Sequence, residues 1–265
     1  MAIDLGFVIS LICGTILITG ATSGFGLLPA RRLAIAGHTV CAGLFSPSGD
    51  TTSSQADINS FALAHNTQEE GIDTLIHNAG HMTYGPAEAL SADQFHRIYE
   101  INCVGAHRVN QVFLPSFRAR RSGHLNWVSS FSAAGAGVAS LFGPYIFVKA
   151  AMDSLAVSYA LELRPFRVKS SVVVPRVFSR VGGAPLENVP GVTLEGMERE
   201  MPKDADVGMV IDAVVEVVGR GKEGTFRVHV DPFGDGSEEV NEMADKKRDV
   251  FLGGLGSTEL LKGRK

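Results

Sequence analysis

Cysteine is scarce in this 265-residue chain: Cys13, Cys41 and Cys103 are odd in number and have no paired spacing. That argues against a disulfide scaffold or a cysteine-built zinc site and suits a reducing, cytoplasmic setting. Positive charge is short too. With 24 Lys and Arg against 28 Asp and Glu the formal net charge is -4, so a nucleic-acid partner is disfavoured. No apolar run reaches the ~20 residues of a membrane span. The best candidate, "LGFVISLICGTILI" from Leu5 to Ile18, has Asp4 where a signal peptide carries positive charge, so neither leader nor membrane contact is expected. Its second half reads as a buried strand, and residues 1–14 read as an N-terminal extension. Internal repeats, low-complexity tracts and a linker are also missing, so one domain is expected over residues 1–265. His96, His107 and His124 lack metal-ligand spacing and read as surface or satisfied histidines, and no metal is expected.

What is present is an alternation of strand-like and helical stretches. Six short apolar runs read as strands: Thr15–Thr19, His38–Ala42, Asp73–His77, His124–Ser130, Val168–Val174 and Thr225–Val230. Several are continuous and β-branched, as strands covered on both faces should be, and most intervening segments are long enough for crossover helices. The implied fold is α/β, a Rossmann-like doubly wound parallel sheet between two helical layers. A helix is expected from Ser91, where "SADQ" forms a capping box, running on through "FHRIYEINCVGAHRVNQVFLPSF". Another is expected from Pro144, with proline in its first turn. Residues 254–265 read as a flexible tail.

Two local patterns carry chemistry. The first strand runs into "TGATSGFG", giving Gly20-x-x-x-Gly24-x-Gly26 where a strand turns into a helix. Glycines there let backbone N–H groups approach a pyrophosphate at the positive end of the helix. Farther on, "GPYIFVKAAMDSLAVSYALEL" from Gly143 to Leu163 places Tyr145 and Lys149 one helical turn apart on one face. A free tyrosine, with a pKa near ~10, is a poor proton donor at neutral pH unless a neighbouring positive charge favours its phenolate. Lys149 is placed to supply that charge.

Taken together, "TGATSGFG", "HNAG" (His77 to Gly80), the "IN" of Asn102, "WVSS" and Tyr145-x-x-x-Lys149 resemble, in order and approximate spacing, the short-chain dehydrogenase/reductase family. The resemblance covers about Thr15 to Gly253. It implies an oxidoreductase interconverting an alcohol and a ketone or aldehyde, with Tyr145 as general acid in reduction. It also implies Lys149 as modulator and ribose ligand, Ser130 as carbonyl orienter, and Asn102 as the residue that interrupts its helix to hold a relay water. The implied cofactor contacts are Gly20, Ser23, Gly24, Phe25 and Gly26 of the turn, Asp57 at the adenine, Asn78, Ala79 and Gly80 after the fourth family strand, Lys149, and Pro175. Ser130 follows from counting along the fifth family strand, whereas counting back from Tyr145 gives Ser132. Ser129 reads as a strand cap. His81 and Tyr84 are candidate pocket residues.

Several departures from the family pattern matter. Leu44 and Phe45 stand where an NAD-preferring member carries an acidic residue, and Ser46 or Ser48 could donate to a 2'-phosphate, which favours NADP(H) over NAD(H). Residues 44–57 are too short for the family's helix and strand. Arg176 replaces the glycine of a Pro-Gly pair, and residues 176–203 read as a substrate lid. "FRVHVDPFGDGSEEVN", Phe226 to Asn241, resembles a subgroup of these reductases without carrying known chemistry. The family implies a homodimer or homotetramer through the two long helices and a small carbonyl or alcohol substrate. A catalytically weak dinucleotide-binding sensor or scaffold, and an isomerase or cyclase on the same fold, remain alternatives.

Overall fold

The computed structural model describes residues 14–21, 24–43, 71–83, 85–134, 142–175, 207–219, 226–230 and 236–255. Ser23, Leu44, Phe45, Ser46, Ser48, Asp57, Tyr84 and Arg176 therefore lie outside the described residues, as do 1–13, 44–70, the lid at 176–203 and 256–265.

Six parallel strands, β1 (Thr15–Thr19), β2 (Thr39–Gly43), β3 (Thr74–His77), β4 (His124–Val128), β5 (Lys169–Pro175) and β6 (Arg227–Val230), pair in the order β2-β1-β3-β4-β5-β6. Each sequence-read strand is found, with ends shifted by up to two residues. Because both faces are covered, alternate residues of one strand enter different cores. Leu17, Cys41, Leu75, Leu125, Trp127, Val172 and Val174 pack with α2 (Ala92–Tyr99), α3 (Gly105–Arg120) and α4 (Gly143–Leu163). Ile16, Ile18, Ile76, Val128 and Val173 pack with α1 (Gly24–Ile35) and α5 (Val207–Gly219). Trp127 is fully buried, and its indole N–H is satisfied by Ser170 Oγ at 3.0 Å, so a large apolar side chain is buried without an orphan donor. A last helix, α6 (Ser237–Gly254), follows β6.

The chain turns toward β2 on one side of β1 and toward β3 on the other. That makes the carboxyl ends of β1 and β3 a switch point, where crevices open in doubly wound sheets.

The helix expected from Ser91 is irregular at Asn102, the residue the resemblance implied would interrupt it. The capping box is present, with Ser91 Oγ accepting from Gln94 N and Gln94 Oε1 accepting from Ser91 N. At Glu100–Val104 the chain widens into a π-helical turn, with Gly105 N donating to Glu100 O. The cause is local competition: Asn102 Nδ2 donates to Ile98 O at 2.9 Å, and a side-chain donor at that carbonyl displaces the backbone ladder.

Candidate active site

The glycine turn is knitted to the end of β3. Thr19 Oγ1 donates to Ile76 O and accepts from Asn78 N and Ala79 N at 3.1 and 3.0 Å. Asn78 Nδ2 donates to both Thr19 O and Gly20 O, each at 3.1 Å. Gly20 has φ +68°, and a Cβ there would lie 2.7 Å from Ala79 Cα, so both backbone and space require glycine. Gly26 packs as tightly, since its Cβ would fall 2.2 Å from Gly20 O and 2.6 Å from Asn78 Nδ2. Gly24 opens α1, and Phe25 packs, partly buried, against the α1 and α5 core. Pro175 ends β5, buried, opposite Val230.

A second cluster lies beyond Gly80. A Cβ on Gly80 would sit 2.9 Å from Asn102 Oδ1 and 3.6 Å from Lys149 Nζ, so this bare backbone brings the carboxamide and the ammonium together. Asn102 Nδ2 also donates to His81 O at 3.0 Å. Its Oδ1 is buried and has no hydrogen-bond partner among the described residues. A buried acceptor left so is costly unless something outside the chain fills it.

Helix α4 supplies the other half. Lys149, buried, donates to Val128 O at 2.9 Å, and the half-buried Tyr145 lies one turn earlier on the same helix face. Ser130 Oγ lies 2.9 Å from Ser132 Oγ, with both serines buried. Lys149 Nζ is 5.8 Å from the centre of the Tyr145 ring.

Depth dominates the electrostatics of the Tyr145 and Lys149 pair. Burial pushes Tyr145 up to about 12, the Ser130 hydrogen bond pulling the other way, so the protein's own groups do not acidify the phenol. Burial also lowers Lys149 to about 8, offset in part by Cys103. At that distance and depth the cost of burying the charge outweighs the attraction that spacing alone suggested. Cys103, raised to about 11 by burial, keeps its thiol proton and donates it to Val148 O at 3.2 Å, tying the π turn to α4.

Ser129 directly follows the last residue of β4, and its hydroxyl donates to Asp153 Oδ1 at 3.3 Å. Asp153 is the residue the sequence reading passed over, although Tyr145, Lys149 and Asp153 are spaced by four and so share one helix face. His81 is exposed, and only its carbonyl joins the cluster. His107 bonds Tyr159 at 2.7 Å, and His124 bonds Ser171 at 3.1 Å. No group of three metal-ligating side chains, and no helix long and apolar enough to cross a membrane, occurs among the described residues.

The family model described as short chain dehydrogenase matches residues 44–182, just over half of the chain, including Asn78 to Gly80, Asn102, Ser130, Tyr145 and Lys149. The bovine mitochondrial D-beta-hydroxybutyrate dehydrogenase is 30% identical over 187 residues, 62% of this chain and 54% of that protein. Human 17-beta-hydroxysteroid dehydrogenase type 1 is 32% identical over 181 residues, 60% of this chain and 55% of that protein. The chain thus spans little more than half the length of these curated relatives. Among solved structures, a short-chain dehydrogenase from Streptomyces avermitilis superposes with a TM-score of 0.68 at 21% identity, covering 93% of this chain and 97% of that one. A Burkholderia cenocepacia gluconate 5-dehydrogenase in complex with NADP and tartrate gives 0.65 at 20% identity, covering 84% and 95%. These likenesses show the fold.

Proposed function

The chain belongs to the short-chain dehydrogenase family, and from that premise we propose that it is an NAD(P)-dependent oxidoreductase interconverting an alcohol with a ketone or aldehyde. The observation that carries the reading is the juxtaposition of Lys149 and the unpartnered Asn102 Oδ1 at Gly80, with Tyr145 one turn before Lys149 on α4.

A nicotinamide dinucleotide supplies the hydride when bound. The residues present fit such a group: Gly20 and Gly26 let the turn close tightly against Ala79 and Asn78 at the start of α1, and Gly80 opens onto Lys149 and Asn102 where any side chain would intrude. Gly20, Ser23, Gly24, Phe25 and Gly26 would hold its phosphates, with Asp57, Asn78, Ala79 and Gly80 toward the adenosine and Lys149 and Pro175 toward the nicotinamide end. NADP(H) is favoured over NAD(H), because β2 ends at Gly43 and continues into Leu44 and Phe45 with no carboxylate to repel a 2'-phosphate. NADP also appears in the gluconate 5-dehydrogenase complex above.

In reduction Ser130 orients the substrate oxygen by hydrogen bond and Tyr145 gives it a proton. With a pKa near 12 Tyr145 is protonated at neutral pH, the state a donor needs, and Lys149, near 8, is still mostly charged. Asn102 Oδ1 holds the water through which Lys149 is resupplied with protons. Substrates are small carbonyl compounds or alcohols. A homo-oligomer through α3 and α4 belongs to the same reading, supported by the exposed Phe147 ring of α4, which lies tilted against Phe95 and Tyr99.

The test is NADPH and NADH titration followed by oxidation of the bound cofactor against a panel of ketones and aldehydes. Tyr145→Phe is expected to bind cofactor normally and to lose about 10³-fold or more in turnover. Cofactor binding with no Tyr145-dependent hydride transfer sinks the oxidoreductase reading and leaves a nucleotide sensor; binding of neither cofactor sinks both.

A further inference from the structure

Two successive turns of α4 grip the residues that end β4. Lys149 meets Val128 O and Asp153 meets Ser129 Oγ, with Tyr145 one turn earlier on the same face. The Asp153 grip is itself held from far away in the chain. Arg227, on the edge strand β6, donates Nη1 and Nη2 to Asp153 Oδ1 and Oδ2 at 2.5 and 2.6 Å, a two-point fork that fixes the carboxylate plane. Its Nε lies 3.5 Å from Asp245 Oδ2 of α6, and Asp245 in turn pairs with Arg248. The Arg227 and Asp153 side chains are 8% and 14% exposed, so this is a buried pair rather than a solvated surface contact.

A buried ion pair contributes little net stability over a well-packed apolar pair. What it supplies is direction: the Asp153 oxygen bonded by Arg227 Nη1 is also the one that accepts from Ser129. Ser129 precedes Ser130, and its backbone N–H is bonded to Val173 O at 2.9 Å, so the peptide carrying Ser130 is held on the sheet side by β5 and on the helix side by Asp153.

We propose that Asp153 and Arg227 are positioning residues for the reaction, fixing Ser129 so that the Ser130 hydroxyl stays in register with Tyr145. The role rests on the oxidoreductase reading above. It also gives the block from Phe226 to Asn241 a function, because that block delivers Arg227 and anchors α6 beside it, where Ser237 Oγ and Asn241 Nδ2 lie 3.4 and 3.5 Å from the His229 ring nitrogens.

The test pairs kinetics with a readout that needs no turnover. The double variant Asp153→Leu, Arg227→Met removes the pair without leaving one buried charge alone, and Asp153→Asn keeps an oxygen facing Ser129. Protein labelled with ¹³Cζ-tyrosine, its Tyr145 signal identified by Tyr145→Phe, reports the hydrogen bond at the phenol directly. The double variant is expected to keep its melting temperature and cofactor affinity, to shift the Tyr145 resonance, and to lose about 10- to 100-fold in kcat with KM little changed. Asp153→Asn should recover most of both signals. A folded double variant with the wild-type Tyr145 resonance and kcat overturns the positioning role. A shifted resonance in a protein whose wild type transfers no hydride overturns the oxidoreductase reading and leaves the clamp as geometry.

Discussion

Replacing Gly26 with alanine isolates the packing of the glycine turn from its backbone conformation. Gly26 lies in α1, where alanine is favoured over glycine by about 1 kcal/mol, so propensity alone predicts a more stable protein. The tertiary contacts predict the opposite. The added Cβ would fall 2.2 Å from Gly20 O and 2.6 Å from Asn78 Nδ2, so the turn and the helix must part by about 1 Å. Overpacking of that kind costs about 1–3 kcal/mol, and Asn78 stands to lose its bonds to Thr19 O and Gly20 O at about 1 kcal/mol each. After the propensity gain is subtracted, a net loss of about 2–4 kcal/mol remains, read as a melting temperature lower by roughly 4–16 °C for a chain of this size. Moving the turn also misplaces the N–H groups proposed to face the pyrophosphate, so NADPH affinity should fall by about ten-fold or more. Thermal melts with and without NADPH, and fluorescence titration of the nucleotide, measure both. An alanine variant with unchanged melting temperature and unchanged affinity refutes the claim that this contact shapes the site.

Ser130→Ala should lower turnover by about 10²-fold while Ser132→Ala costs under about ten-fold, because Ser130 directly follows the clamped Ser129 and is the serine proposed to orient the substrate oxygen; equal effects in steady-state assays would contradict that ordering. The rate of ketone reduction should decline as pH rises through about 8, where Lys149 loses its proton and with it the resupply of Tyr145; a rate level across that range contradicts the relay. Burial lowers His77 to about 4 and His124 to about 3, from 6.5 in the unfolded chain. Below pH 6.5 the unfolded chain therefore binds more protons than the folded one, and stability falls with falling pH at about 1.4 kcal/mol per unit for each histidine, about 4 kcal/mol for the pair at pH 5. Urea titrations at pH 7 and pH 5 read this directly, and identical midpoints would show the two rings to be accessible to protons in the fold.

The sheet was legible because each strand is a short apolar run that must be covered on both faces, a requirement local enough to leave its mark in five to seven residues. The capping box at Ser91 and the four-residue spacing of Tyr145 and Lys149 were legible for the same reason: each depends on neighbours within one turn. The site residues were assembled from such fragments and from a family resemblance. The geometry adds which atoms meet, as with Lys149 Nζ at Val128 O.

What the chain order concealed depends on distance or on depth. The π turn at Glu100–Val104 arises from Asn102 Nδ2 competing for Ile98 O, and no periodicity in the residues announces it. The hydrogen bonds that join Arg227 to Asp153 link residues 74 positions apart, which only sheet pairing and helix packing bring together. The sign of the Tyr145 shift was beyond spacing too. Proximity to Lys149 is a sequence property, whereas the burial that raises one pKa and lowers the other is set by everything packed around them. The sequence by itself determined the elements, their alternation and the chemical groups available. The tertiary structure alone decided their burial and mutual distance, because desolvation and long-range contact do not exist until the layers close.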